Sequence, residues 1–234
     1  MARTRVARFP RSKVMASAVI ASALMAAGCQ GGESKDTDAA SPSSVELSCD
    51  KALSTQAKDA MKRISDIPAS TKATILGDPQ RAADGLVAQH DTGTVSEWDD
   101  EYFCSAHRGS AGLDSARVEF SLAEEPPEAG QVASIFKEYR MAKSALAGIK
   151  VGVLYFECSS KKFSSGTGAT VLVRGEVRSR YETSEPEDAA REDTLRIVYE
   201  SSRILSGLLD CKSNAGLPNS FTMPPEIQRT DTSS

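Results

Sequence analysis

Four cysteines, Cys49, Cys104, Cys158 and Cys211, stand more than fifty residues apart along the chain. No two have the CxxC-type spacing of a zinc site. In an oxidising compartment an even set pairs into two disulfides. Four cysteines allow three connectivities, and sequence spacing alone does not choose among them. Any pairing closes long loops. In the chain-entropy picture a link across about fifty residues stabilises by about 4 kcal/mol before strain. The compartment therefore decides whether the fold is stapled.

The first residues address the compartment. Arg3, Arg5, Arg8, Arg11 and Lys13 precede any acidic residue. An uncharged run, Val14 to Ala27, follows and ends in Ala26, Ala27, Gly28 and Cys29. A basic segment, a short apolar segment and small residues form a secretory signal over residues 1–28. The apolar run is shorter than the ~20 residues a transmembrane helix needs. The sequence Ala26-Ala27-Gly28-Cys29 resembles the lipobox of bacterial lipoproteins, with Ala26 where Leu is usual. The resemblance implies cleavage before Cys29 and a diacylglycerol on its thiol. It places the protein on the extracytoplasmic face of the cell membrane. Two acyl chains anchor firmly, because each buried methylene contributes roughly 0.8 kcal/mol.

Cleavage changes the charge. Without the five basic residues before Cys29, 23 Lys and Arg face 32 Asp and Glu, a net charge near −9. Such a chain has no electrostatic footprint for nucleic acid. Anionic headgroups would not attract it, which leaves membrane attachment to the lipid. Residues 29–48 carry the lipidated cysteine and a Gly-, Ser- and Asp-rich tether with a span of about 24 Å. Residues 222–234 read as a polar, disordered tail. Residues 49–221 read as a single domain of ordinary size.

Apolar periodicity places the elements. A first helix is expected from Asp50 to Ile64, on Leu53, Ala57, Ala60, Met61 and Ile64. Asp78-Pro79 starts a second, burying Ala82, Ala83, Leu86 and Val87. Tyr102-Phe103-Cys104 is a short strand, and Val118, Phe120 and Leu122 alternate along the next. A third helix is expected from Gly130 to Leu146, on Val132, Ile135, Phe136, Tyr139, Ala142 and Leu146. Val151 to Cys158 is nearly all apolar and reads as a central strand. Val171, Val173, Val177 and Tyr181 share one face of the following strand, and Arg174, Glu176, Arg178 and Arg180 the other. Ser184 and Glu187 form a capping box for the last helix. Its stripe is Leu195, Val198, Ser202, Leu205 and Leu209, widened by Ile197, Ile204 and Leu208. Arg196 and Arg203 fall off that stripe.

The order is α-(α)-β-β-α-β-β-α. Tyr102-Phe103-Cys104-Ser105 and Tyr155-Phe156-Glu157-Cys158-Ser159 each precede an alternating strand and then a helix, so the halves fit either a faint duplication or a chance likeness. The fold class is α+β: one antiparallel sheet of about four strands with helices mainly on one face. Within that arrangement, pairs Cys49–Cys104 and Cys158–Cys211 would each staple a helix end to the sheet.

Lipobox, tether, a cysteine opening a helix and a cysteine-bearing strand together resemble small actinobacterial lipoproteins of uncharacterised function. The likeness spans 49–221 and is densest from Tyr155-Phe156-Glu157-Cys158 to Leu209-Asp210-Cys211. It implies an α+β fold and carries over no catalytic residue.

Sites of known chemistry are sparse. There is no GxSxG turn, Walker loop or dinucleotide glycine pattern. Ser164-Ser165-Gly166-Thr167-Gly168 reads as a hairpin connection. His90 and His107 have no partner at metal-ligand spacing. Glu97, Asp99, Asp100 and Glu101 around Trp98 lack the glycine turn of a calcium loop. The row Arg174, Arg178 and Arg180 could hold an anion, but Glu176 and Glu182 make a mixed solvent-facing strand the simpler reading. The expectation is no catalytic set, no metal and no cofactor. The leading reading is a non-enzymatic module that binds another envelope component. The alternatives are an envelope hydrolase or metal-dependent enzyme, which would need a histidine sharing a pocket with two acids, and a small-ligand carrier.

Overall fold

The computed structural model describes residues 47–93, 100–109, 113–128 and 132–228. Cys29, the signal, nearly all of the tether, Trp98 with Glu97 and Asp99, and the last residues of the tail lie outside them. Among the described residues no helix is long and apolar enough to cross a membrane.

The class is α+β, with four helices and one antiparallel sheet of seven strands, not four. The helices are α1 (Cys49–Ala52), α2 (Thr55–Ile64), α3 (Pro79–Thr92) and α4 (Glu187–Leu208). The strands are β1 (Ala73–Leu76), β2 (Glu101–Arg108), β3 (Ala116–Ala123), β4 (Lys137–Tyr139), β5 (Ser144–Ala147), β6 (Val151–Ser160) and β7 (Ala169–Ser179). Their order is β1-β2-β3-β7-β6-β5-β4. Long hairpins β2–β3 and β6–β7 lie side by side, joined through β3 and β7 with Val118 opposite Val177.

The strand count grew where the third helix was expected. Residues 137–147 form β4 and β5, which extend the sheet from β6. The spacing of apolar residues there does fit a helix. The ten-residue edge of β6, however, carries backbone groups that need partners, and strand pairing supplies them. Ala142 takes φ +49° at the turn between the strands. Val132 and Phe136 pack instead on Leu146 and Val153, on the face of the sheet away from the helices. The proposed repeat loses its first helix with this change.

Two helix starts also differ. The first helix breaks at Leu53, where Ser54 caps a new one by accepting the Ala57 N–H at 3.1 Å. The Ser184–Glu187 box does not form. Pro186 holds the cap position of α4, and no side chain caps it. Glu187 and Asp188 in the first turn still suit the helix dipole.

Helix α4 lies across β5, β6 and β7, α3 lies on β2 and β3, and α2 packs on α4. The α4 stripe is buried as expected: Leu195, Val198, Ser202, Leu205 and Leu209 have no exposed surface. Glycines let α4 come close. A Cβ on Gly152 would stand 2.7 Å from the Thr194 carbonyl oxygen, and one on Gly175 would stand 3.2 Å from the Ser202 hydroxyl oxygen. Both disulfides take the local pairing, Cys49–Cys104 with Cα atoms 6.0 Å apart and Cys158–Cys211 with Cα atoms 5.0 Å apart. The first ties α1 to β2. The second ties β6 to the chain leaving α4.

Past Cys211 a left-handed turn, Lys212–Gly216, reverses the chain. Its return runs beside α4, where the Tyr199 hydroxyl donates to the Pro218 carbonyl at 2.7 Å. It then reaches the outer edge of β4. Ile227 N–H donates to the Glu138 carbonyl at 2.8 Å, and Arg140 N–H to that of Pro225 at 3.1 Å. Residues 222–228, read as tail, thus cover an edge that would otherwise expose unpaired backbone.

Candidate functional site

The histidines sit apart. His90 lies near the end of α3 with its Nδ1 3.3 Å from Asp91 and its ring against Phe163. Asp91 accepts the Ser165 N–H at 2.9 Å, so the pair fastens α3 to the β6–β7 connection. Its hydrogen bonds, first that of His90, hold the Asp91 carboxyl below the usual carboxylate range. His107 is on β2, with Nε2 2.7 Å from the Ser105 hydroxyl, which in turn lies 2.7 Å from the Tyr102 hydroxyl. Ser105 is buried. Neither histidine lines a concavity described below. Among the described residues no three His, Cys, Asp or Glu side chains are placed to hold a metal.

The arginine row projects from β7 on the face away from the helices. Arg174 and Arg178 both grip Glu176, which is buried rather than solvent-facing. Across the pairing to β3, Arg117 stands opposite Arg178 and Glu119 opposite Glu176. Arg117 reaches Asp114 at 2.5 Å and Glu119 at 3.0 Å, and Arg180 reaches Asp114 at 3.4 Å. Burial opposes the Asp114 charge, but these guanidinium groups outweigh it and keep the carboxyl below its usual range. A cleft of about 310 Å³ lies among these groups. Each cation in it is already answered by an acid of the chain. Asp100, one of the two described members of the acidic cluster with Glu101, lies 3.7 Å from Arg174. Glu101 accepts from Gln89 at 2.7 Å.

A second concavity, about 590 Å³, repeats the pattern. Lys62 lies 3.7 Å from Asp59, and Arg108 lies 3.6 Å from Asp66. Arg63 binds Asp193 through two bonds of 2.7 and 2.6 Å. Asp193 is buried, and its hydrogen bonds raise the Arg63 pKa above its ordinary value.

A third groove, about 760 Å³, lies between the α1–α2 corner, the flank of α4 and the returning chain at Asn219–Phe221. Leu53, Tyr199, Ile204 and Phe221 give it apolar surface. The wall is braced from behind. Arg196 stacks over the Phe221 ring at 4.3 Å and reaches Gln56 at 3.0 Å and Glu192 at 2.7 Å. Three charged residues line the groove: Lys51, Arg203 and Glu200. Among the described residues none of them has an ion-pair partner. Arg203 donates one bond to the Asn219 carbonyl, and its buried Nε finds no acceptor.

Sequence reading did not find this groove. Arg203 looked like surface because it lies off the α4 stripe. The available signal was local and weak: Arg196, Tyr199 and Arg203 at helical spacing on one flank, and one aromatic, Phe221, close to a polar tail. Compared with protein-family models, curated proteins and solved structures, the chain matches none.

Proposed function

We propose that this chain is an exported lipoprotein, held on the outer face of the membrane through Cys29, whose folded part is a non-enzymatic binding module. The groove beside Arg203 is its binding site. The observation that carries this reading is the contrast in charge pairing. The groove has the size of a small-molecule site, and its charged side chains have no ion-pair partner within the described residues. The basic and apolar signal ending at Cys29 supports export, and two stapling disulfides fit an oxidising compartment.

Native mass spectrometry of the chain extracted from its own membranes tests the site. The wild type should carry a bound small molecule. Ser220→Trp, which fills the groove, should lose it, and Arg178→Gln on the opposite face should keep it. An adduct retained by Ser220→Trp, or none in the wild type, would contradict the reading. Anchoring is tested on its own. Cys29→Ala should not incorporate a fatty-acid label, and equal labelling of the mutant would remove the anchor.

A further inference from the structure

The groove's unanswered charges also indicate what it takes. We infer that its ligand is a small organic monoanion, a carboxylate on an apolar body. The inference rests on the reading of this groove as the binding site. Of the arginines in the described residues, Arg81, Arg140 and Arg203 have no carboxylate partner. Arg81 and Arg140 are exposed and keep their water, whereas Arg203 is half-buried. A guanidinium cannot shed its proton. Its buried Nε therefore lacks an acceptor that a ligand oxygen could supply. Planar carboxylate matches that fork better than a point charge does.

Lys51 gives a second cation from the α1 side of the groove. The start of α2 opens there too, with no acidic residue in its first turn to cancel the helix dipole. Glu200 sets the limit. With Lys51 and Arg203 it leaves a lining charge of one positive unit, which suits one negative charge and repels a second. Leu53, Ile204 and Phe221 then take an apolar body, with Phe221 fixed under Arg196.

Titration calorimetry on the purified full chain tests this with 3-phenylpropionate and its neutral amide. The acid should bind at least about tenfold more tightly than the amide, a difference of about 1.4 kcal/mol. Arg203→Gln should erase the preference, and Arg178→Gln should leave it. Because Arg203 also holds Asn219, Lys51→Gln provides a second variant, at a side chain with no hydrogen bond or ion pair among the described residues. It should weaken the acid and not the amide. If acid and amide bind equally, the monoanion is wrong while the groove stands. An acid preference that survives both groove variants places the anion elsewhere and also overturns the inference. If neither compound binds at up to about 10 mM, the groove reading falls with it.

Discussion

Two arginine-bearing regions of this protein look alike in sequence and differ in what answers their charge. On the open face of the sheet, Arg117, Arg174, Arg178 and Arg180 meet Asp114, Glu119 and Glu176 at contact distance. In the groove at α4, Arg203 and Lys51 meet no acid among the described residues. Register explains the first. Alternation along β3 and β7 puts like charges opposite each other and unlike charges two residues apart, so the ladder neutralises itself within each strand. The groove has no such geometry, because its cations come from two separate helices, Lys51 from α1 and Arg203 from α4. Cations answered inside the chain should act on stability. Unanswered ones should act on binding.

That division can be attacked at several strengths. The largest effect belongs to the pair with the most buried acid, Asp193. Arg63→Met leaves Asp193 as an unpaired buried charge and should cost about 3–5 kcal/mol in denaturant unfolding. A change below ~1 kcal/mol would mean that answered pairs do little for the fold. Next comes Arg196, which braces the groove without lining it. Arg196→Ala removes a ring contact and a part-buried ion pair and should cost about 1–2 kcal/mol. That is more than its place off the α4 stripe would suggest. Arg203→Gln gives up one bond to the Asn219 carbonyl and should cost under about 1 kcal/mol. Equal losses at Arg196 and Arg203 would erase the distinction between brace and site.

The smallest effect is one of pH. Asp114 has a depressed carboxyl in the folded protein. Its contribution is complete above the ordinary Asp value of about 4, and it is lost as pH falls through the lower folded value. Asp114→Asn should therefore flatten the fall of the melting temperature below about pH 4. An unchanged acid limb would show that the ladder's charges are not coupled to folding.

What the sequence disclosed follows the range of the interactions. β7 was legible because Val173 and Val177 alternate with Arg174, Glu176 and Arg178. The α4 stripe was legible because Leu195, Val198, Leu205 and Leu209 keep a helical period over many turns. Placing Cys104 and Cys158 on strands and Cys49 and Cys211 at helix ends suggested the two local disulfide pairs without fixing them. The failures share a cause. Residues 132–146 carry a helical apolar period, yet the demand of β6 for a neighbour turned part of them into β4 and β5. Ser54 interrupts the first helix through a single capping bond that the apolar stripe does not register. The groove was invisible because it exists only once residues 219–221 return beside Arg203, an event set by the left-handed turn after Cys211. Burial of Glu176 likewise needs both arginines around it, so alternation alone assigned it to solvent.

The central claim is that an anion enters at Arg203 and not at the ladder. Nitrogen-15 NMR of arginine side chains during a titration with 3-phenylpropionate tests this atom by atom. The account predicts a saturable shift of the Arg203 Nε–H signal, with those of Arg117 and Arg178 unmoved. A shift at Arg117 or Arg178 with Arg203 still would contradict it.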